Sequence, residues 1–173
     1  LLIALPATVP ADQNDPGLEP LFAALAQARS AREAGRIEAR IWQIWLDSGD
    51  PETNRLLRTG MAAFEAGRSR LALDLLDEVV TRAPAFAEGW NQRATAYYLI
   101  DDFDASLADI ERVLELEPRH FGALSGRGLI YLAQGRDYDA MLAFQAVVEL
   151  HPHAREARRY LQFLRQRLGA ETV

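Results

Sequence analysis

Three prolines, Pro84, Pro118 and Pro152, stand 34 residues apart, and the residues between them recur in the same register. A fixed period of this length constrains a fold more than any single motif. Each unit must be one supersecondary element that cannot bury its apolar face alone, so the units must stack. In residues 87–120 the aligned positions carry Trp90, Ala94, Tyr97, Ser106, Ile110, Val113 and Pro118. Residues 121–154 repeat them as Leu124, Gly128, Tyr131, Ala140, Phe144, Val147 and Pro152. Residues 53–86 do so as Leu56, Gly60, Ala63, Ala72, Leu76, Val79 and Pro84.

Within each unit two apolar stretches recur at helical spacing, such as Trp90, Ala94 and Tyr97, then Ser106, Ile110 and Val113. Gly67 and Gly135 fall between the two stretches, where a tight helix–helix turn needs a left-handed residue, and Asp101 takes that place in the middle unit. The prolines end each second helix because they cannot donate to the preceding turn. Gly60, Ala94 and Gly128 are small enough for the two helices to approach closely, which predicts antiparallel hairpins stacked into a solenoid. Arg93 and Asp109 fall at offsets that face each other within one hairpin and are expected to pair, with Arg127 as the competing cation.

On these residues the chain resembles the tetratricopeptide-repeat (TPR) family, with repeats at 53–86, 87–120 and 121–153. The resemblance implies an all-α, right-handed superhelical solenoid of antiparallel helix pairs that binds other proteins and carries no catalysis. In that family the first helix of each pair lines a concave groove on which peptides lie. The family's register assigns Leu57, Met61, Phe64, Asn91, Thr95, Tyr98, Ser125, Leu129 and Leu132 to the groove, together with Asn54, Glu88 and Gly122. TPR domains that grip C-terminal carboxylates use Lys, Arg and Asn at fixed groove positions. Here those positions hold Leu57, Met61, Gln92, Gly122 and Gly126, so that clamp is not expected. One departure is Tyr138, a place late relative to Phe103 in its repeat, which points to an altered turn at residues 135–138.

The flanks read as solenoid ends. Residues 18–33 and 36–47 carry helical apolar faces, with Leu21, Phe22, Leu25 and Ala28, then Ile37, Ile41, Trp42 and Trp45. We expect residues 18–50 to be a helical pair forming a degenerate repeat, the two tryptophans in its core. Asp50 and Pro51 suit the N-cap and first turn of the next helix. Residues 154–168 read as a capping helix, with Ala157, Tyr160, Leu161, Leu164 and Leu168 on one side and five arginines elsewhere. Residues 12–17 are polar, contain Pro16, and read as an unstructured lead-in. Residues 1–11 form an uncharged apolar run ending in Val9-Pro10-Ala11, which suits the tail of a signal peptide and predicts export, to a periplasm or otherwise, the alternative being a leader of no consequence on a cytoplasmic protein.

The composition excludes more chemistry than it offers. There is no cysteine, and all 19 basic residues are arginine, which removes thiolate and lysine chemistry. His120, His151 and His153, the histidines of the chain, fall in turns between repeats and read as solvated, with no metal-ligand spacing around them. Ser125-Gly126-Arg127-Gly128 lies inside a first helix and lacks the lysine and strand of a phosphate loop. We expect no enzyme, no cofactor and no metal. A net charge of −6 argues against nucleic acid, and no stretch is apolar enough to span a membrane. The expected partner is another protein, with an apolar segment laid in the groove. Two alternatives stay open: self-assembly through charged ends, between acidic residues 101–117 and the arginines of the last helix, or service as an appendage of a larger enzyme.

Overall fold

A computed structural model of the chain describes residues 12–170, and the expected leader at residues 1–11 lies outside them. Among the described residues there are nine helices and no strand. They are α1 (Leu18–Ala26), α2 (Ala31–Trp45), α3 (Pro51–Glu65), α4 (Ser69–Arg82), α5 (Ala87–Leu99), α6 (Phe103–Leu116), α7 (Phe121–Ala133), α8 (Asp137–Leu150) and α9 (Arg155–Ala170). None of them is long and apolar enough to cross a membrane.

The repeat hairpins α3–α4, α5–α6 and α7–α8 follow from local chemistry. Asp50 caps α3 by accepting from the Thr53 N–H at 2.9 Å, with Pro51 in the first turn. The turn within each hairpin passes through one left-handed residue: Gly67 at φ 72°, Asp101 at 62° and Gly135 at 71°. The third turn closes with the same backbone bond as the first two, from Arg136 N–H to Tyr131 O at 2.8 Å. The lateness of Tyr138 therefore leaves the turn unaltered, and its side chain stays 62% exposed. Each second helix ends two residues before its proline. Ala83, Glu117 and His151, the residues just ahead of it, leave the helical region at φ −129°, −138° and −133°, since a following proline disfavours it.

Small residues set how closely the paired helices lie. A Cβ on Gly128 would stand 2.8 Å from the Phe144 ring, and one on Gly60 would stand 3.1 Å from Leu76. In the middle hairpin the Ser106 hydroxyl donates to Ala94 O at 2.7 Å. Across the same hairpin Arg93 grips buried Asp109 through two bonds of 2.7 Å and reaches Asp77 of the previous repeat at 2.8 Å. The Asp109 bonds are the main reason the Arg93 guanidinium holds its proton still more tightly than usual. Successive first helices lie closer to each other than successive second helices do, so α3, α5 and α7 form the inner layer of the solenoid. At the far end α9 seals α8 with Ala157, Leu161 and Leu164, and Tyr160 stacks on Phe144 at 4.8 Å.

The N-terminal pair departs from expectation. It is a helical hairpin, but it does not extend the solenoid as a repeat in front of α3. That face of α3 carries exposed Glu52, Arg55, Arg58, Thr59 and Glu65, a wet surface on which nothing apolar can stack. Instead α1 and α2 lie along the edge where each repeat hands over to the next. Trp45, Ile41, Phe22 and Leu25 are buried in one cluster with Phe121, Leu124 and Phe144 of the third repeat. The lead-in is ordered for the same reason. Gln13 donates to Ala85 O and accepts from the Ala87 N–H at 3.1 Å, and Asp12 and Gln13 are both buried.

The histidines are likewise not solvated, because this hairpin covers their turns. His120 is fully buried and stacks on Trp45, ring centroids 4.1 Å apart. His151 is 4% exposed and meets Glu38 of α2 at 3.3 Å. His153 donates through Nε2 to Ala28 O at 2.7 Å. That hydrogen bond from His151, ahead of the partial burial opposing it, holds the Glu38 carboxyl below its ordinary range.

Candidate functional site

The inner layer contains a cavity of ≈ 260 Å³ between α5 and α7. Ala94, Ser106, Ile110 and Ala123 make its floor, and every apolar group there comes from helix faces already turned toward the core. Asn91, Thr95 and Tyr98 rise from α5, while Ser125 and Leu129 rise from α7. The space exists because α7 offers glycine where a side chain would fill it. A Cβ on Gly126 would touch nothing closer than Ile110 Cδ1 at 3.5 Å. Gly122, one turn earlier, borders the cavity too, and Trp42 of α2 packs against that glycine, 2.7 Å from where a Cβ would stand.

The polar groups around the cavity are mostly acceptors. The Thr95 hydroxyl donates to Asn91 O at 3.0 Å and the Ser125 hydroxyl to Phe121 O at 2.8 Å. Each spends its proton on its own helix and leaves oxygen lone pairs facing outward. No arginine lines the cavity. Asn91 is held in place by donating to Glu88 Oε2 at 3.0 Å, and Glu88 also accepts from Gln92. His120 completes this network. Its Nδ1 accepts from the Ala123 N–H at 3.2 Å, capping α7, which leaves the ring proton on Nε2, 3.0 Å from Glu88 Oε2. Glu88 and His120, both wholly buried, thus tie the first turns of α5 and α7 together beneath the cavity.

Of the expected groove residues, Asn91, Thr95, Tyr98, Ser125 and Leu129 line this cavity. Leu132, a turn beyond Leu129, is half-buried against the third-repeat core and does not line it. Met61 and Phe64 are half-buried on α3, packed against the first-repeat cluster. Leu57 is a correction. At 1% exposure it belongs to the core with Phe86 and Ala96, because α5 lies directly over it. Sequence reasoning missed the floor residues Ser106 and Ile110, and it put Glu88 on the groove, whereas the structure buries that side chain against His120. The usable signal was Gly122 and Gly126, four residues apart on one helix face, a gap in the groove wall. No group of three or more His, Asp or Glu among the described residues is placed to hold a metal ion.

Two tetratricopeptide-repeat profiles match the chain, one over residues 93–155 and one over residues 56–85. A TPR repeat-containing protein of Rhizobium etli is 37% identical over 152 residues, which is 88% of this chain and 74% of that protein. Human tetratricopeptide repeat protein 36 is 36% identical over 56% of this chain and 53% of its own length. Among solved structures, the first TPR domain of Spaghetti (RPAP3), bound to the HSP90 peptide SRMEEVD, aligns with a TM-score of 0.64 at 25% identity. That alignment covers 68% of this chain and 93% of that one.

Proposed function

The chain belongs to the tetratricopeptide-repeat family, and from that premise we propose that it is a non-catalytic adaptor whose α5–α7 cavity takes an apolar side chain from a partner's peptide segment. The observation that carries this reading is the composition of the cavity. Its floor is apolar but for the Ser106 hydroxyl, which is spent on Ala94 O, its rim presents hydroxyl and amide acceptors, and Gly126 leaves room for one side chain. A peptide suits that arrangement: the side chain is desolvated below while backbone N–H groups reach the acceptors of Thr95, Asn91 and Ser125. The bound peptide of the RPAP3 domain supports a peptide as the class of ligand. Its carboxylates do not transfer to this cavity, since an anion buried here would meet no cation.

Panning a displayed random-peptide library against the full chain, with Gly126→Leu as counter-screen, tests the reading. Leucine at that position fills the cavity and removes a helix glycine, so the variant should fold at least as well as the parent. The expected outcome is a family of peptides sharing one apolar anchor, retained by the parent and lost by the variant. Peptides held equally by both proteins would sink it.

A further inference from the structure

The other large hollow lies against the last helix. It is an open cleft of ≈ 1190 Å³ walled by α9, the end of α8 at Val148 and the start of α2 at Ala31. Arg155, Arg158, Arg159 and Arg165 line it, against Glu156 as the one lining carboxylate. All four arginines are exposed. Among the described residues none of them is paired with a carboxylate, whereas Arg93 and Arg119 each hold two and Arg167 holds one. A capping helix requires a wet outer face, but glutamate would serve that need as well as arginine. The choice of one sign extends beyond α9. Residues 29–45 and 155–170 hold nine arginines and three glutamates, while the rest of the chain holds ten arginines against twenty-two carboxylates.

We propose that this cleft binds a run of acidic side chains in an extended segment of another protein. Guanidinium groups suit carboxylates, which they grip through paired N–H donors. Arg158 and Arg165 lie two turns apart on α9 with Gln162 on the same face. The separation is about 10 Å along the axis, the span of roughly three residues of extended chain. The acidic remainder of the molecule sets the size of the occupant. A nucleic-acid duplex or a membrane surface extends past the cleft and meets the surplus of carboxylates. A short peptide stays within about one Debye length, ~8 Å, of the arginines.

Fluorescence anisotropy of a labelled octaglutamate peptide against the full chain tests the proposal independently of the groove. We expect saturable binding that the paired change Arg158→Glu and Arg165→Glu weakens about tenfold or more, with far-UV circular dichroism unchanged. Gly126→Leu should bind the peptide as the parent does. If the double reversal does not fold, the corresponding Arg→Gln pair should show the same loss. The proposal is overturned by absence of binding to the parent, by equal binding to the folded double variant, or by loss of binding in Gly126→Leu. Tighter binding of octathymidylate or of phosphatidylglycerol vesicles than of octaglutamate overturns it equally.

Discussion

Charged side chains separate sharply here by what surrounds them. Arg93 and Asp109 share two bonds inside the middle hairpin, with side chains 17% and 6% exposed, and the guanidinium also lies over the Trp90 ring at 4.8 Å. Asp109→Ala leaves that guanidinium half-buried with only Asp77 to answer it, so chemical denaturation should register a loss of about 3 kcal/mol. The i,i+3 pair of Glu52 and Arg55 has the same bond length, 2.7 Å, but both side chains are about half exposed. Glu52→Ala should change stability by no more than about 0.5 kcal/mol. Glu38 adds a pH dependence. Its carboxyl titrates in the folded protein below the ordinary value of 4.5, chiefly because His151 donates to it. A lowered folded value means that the carboxylate stabilises the fold above about pH 4.5 and loses that contribution as pH falls through the lower value. The gap in urea midpoint between the parent and Glu38→Gln should therefore close as pH is lowered from about 4.5. A gap unchanged over that range would show that the His151 bond does not hold Glu38.

Helix α2 is the element whose placement decides the most, and it was the least legible. Its existence could be read from the spacing of Ile37, Ile41 and Trp45, and its start is fixed by Ser30, which accepts from the Glu33 N–H at 3.2 Å. Its seat could not be read, because the contacts that define it join residues about a hundred positions apart, and a repeat register says nothing about them. The hairpins, their left-handed turns and their proline ends were legible because each depends on neighbours within a few residues. The groove was half legible. The family register names the helix face, but only packing decides that Leu57 is covered while Thr95 and Leu129 are not. The turn histidines misled for the same reason, since a turn is exposed only if nothing lies on it. One substitution tests the seat directly. Gly122→Ala places a methyl 2.7 Å from Trp42, which is itself held by Trp45 and Phe121 at ring separations of 5.3 and 5.4 Å. The ring cannot step aside alone, so α2 should lift. We expect tryptophan fluorescence to shift to the red and protease to cut faster within residues 27–50, with most helical ellipticity retained. Unchanged fluorescence and protection would mean that α2 does not rest on α7.

At the scale of the molecule, a solenoid whose repeats touch only their neighbours unfolds as a chain of loosely coupled units. This one carries a second connection. Within residues 13–28 the N-terminal segment meets each hand-over in turn: Gln13 at Ala85 and Ala87, Glu19 at Arg119 with a 2.8 Å ion pair, and Ala28 at His153. Helix α2 then returns along the same edge, from Glu38 at His151 to Trp45 over His120. Loss of any one repeat strains contacts at its neighbours' turns, so the three repeats and the hairpin should melt together. The tryptophans allow the test, because Trp42 and Trp45 report the hairpin while Trp90 sits in the middle repeat. In Trp90→Phe, only the hairpin fluoresces and the ellipticity reports all helices. Urea transitions followed by the two signals should coincide. Trp45→Ala removes the largest side chain of the seat and should cost about 3–5 kcal/mol. Introduced beside Trp90→Phe, it should also pull the two transitions apart, since Trp42 then leaves before the repeats do. Separate transitions already present in Trp90→Phe alone would show that the hairpin rides on the solenoid without coupling its repeats.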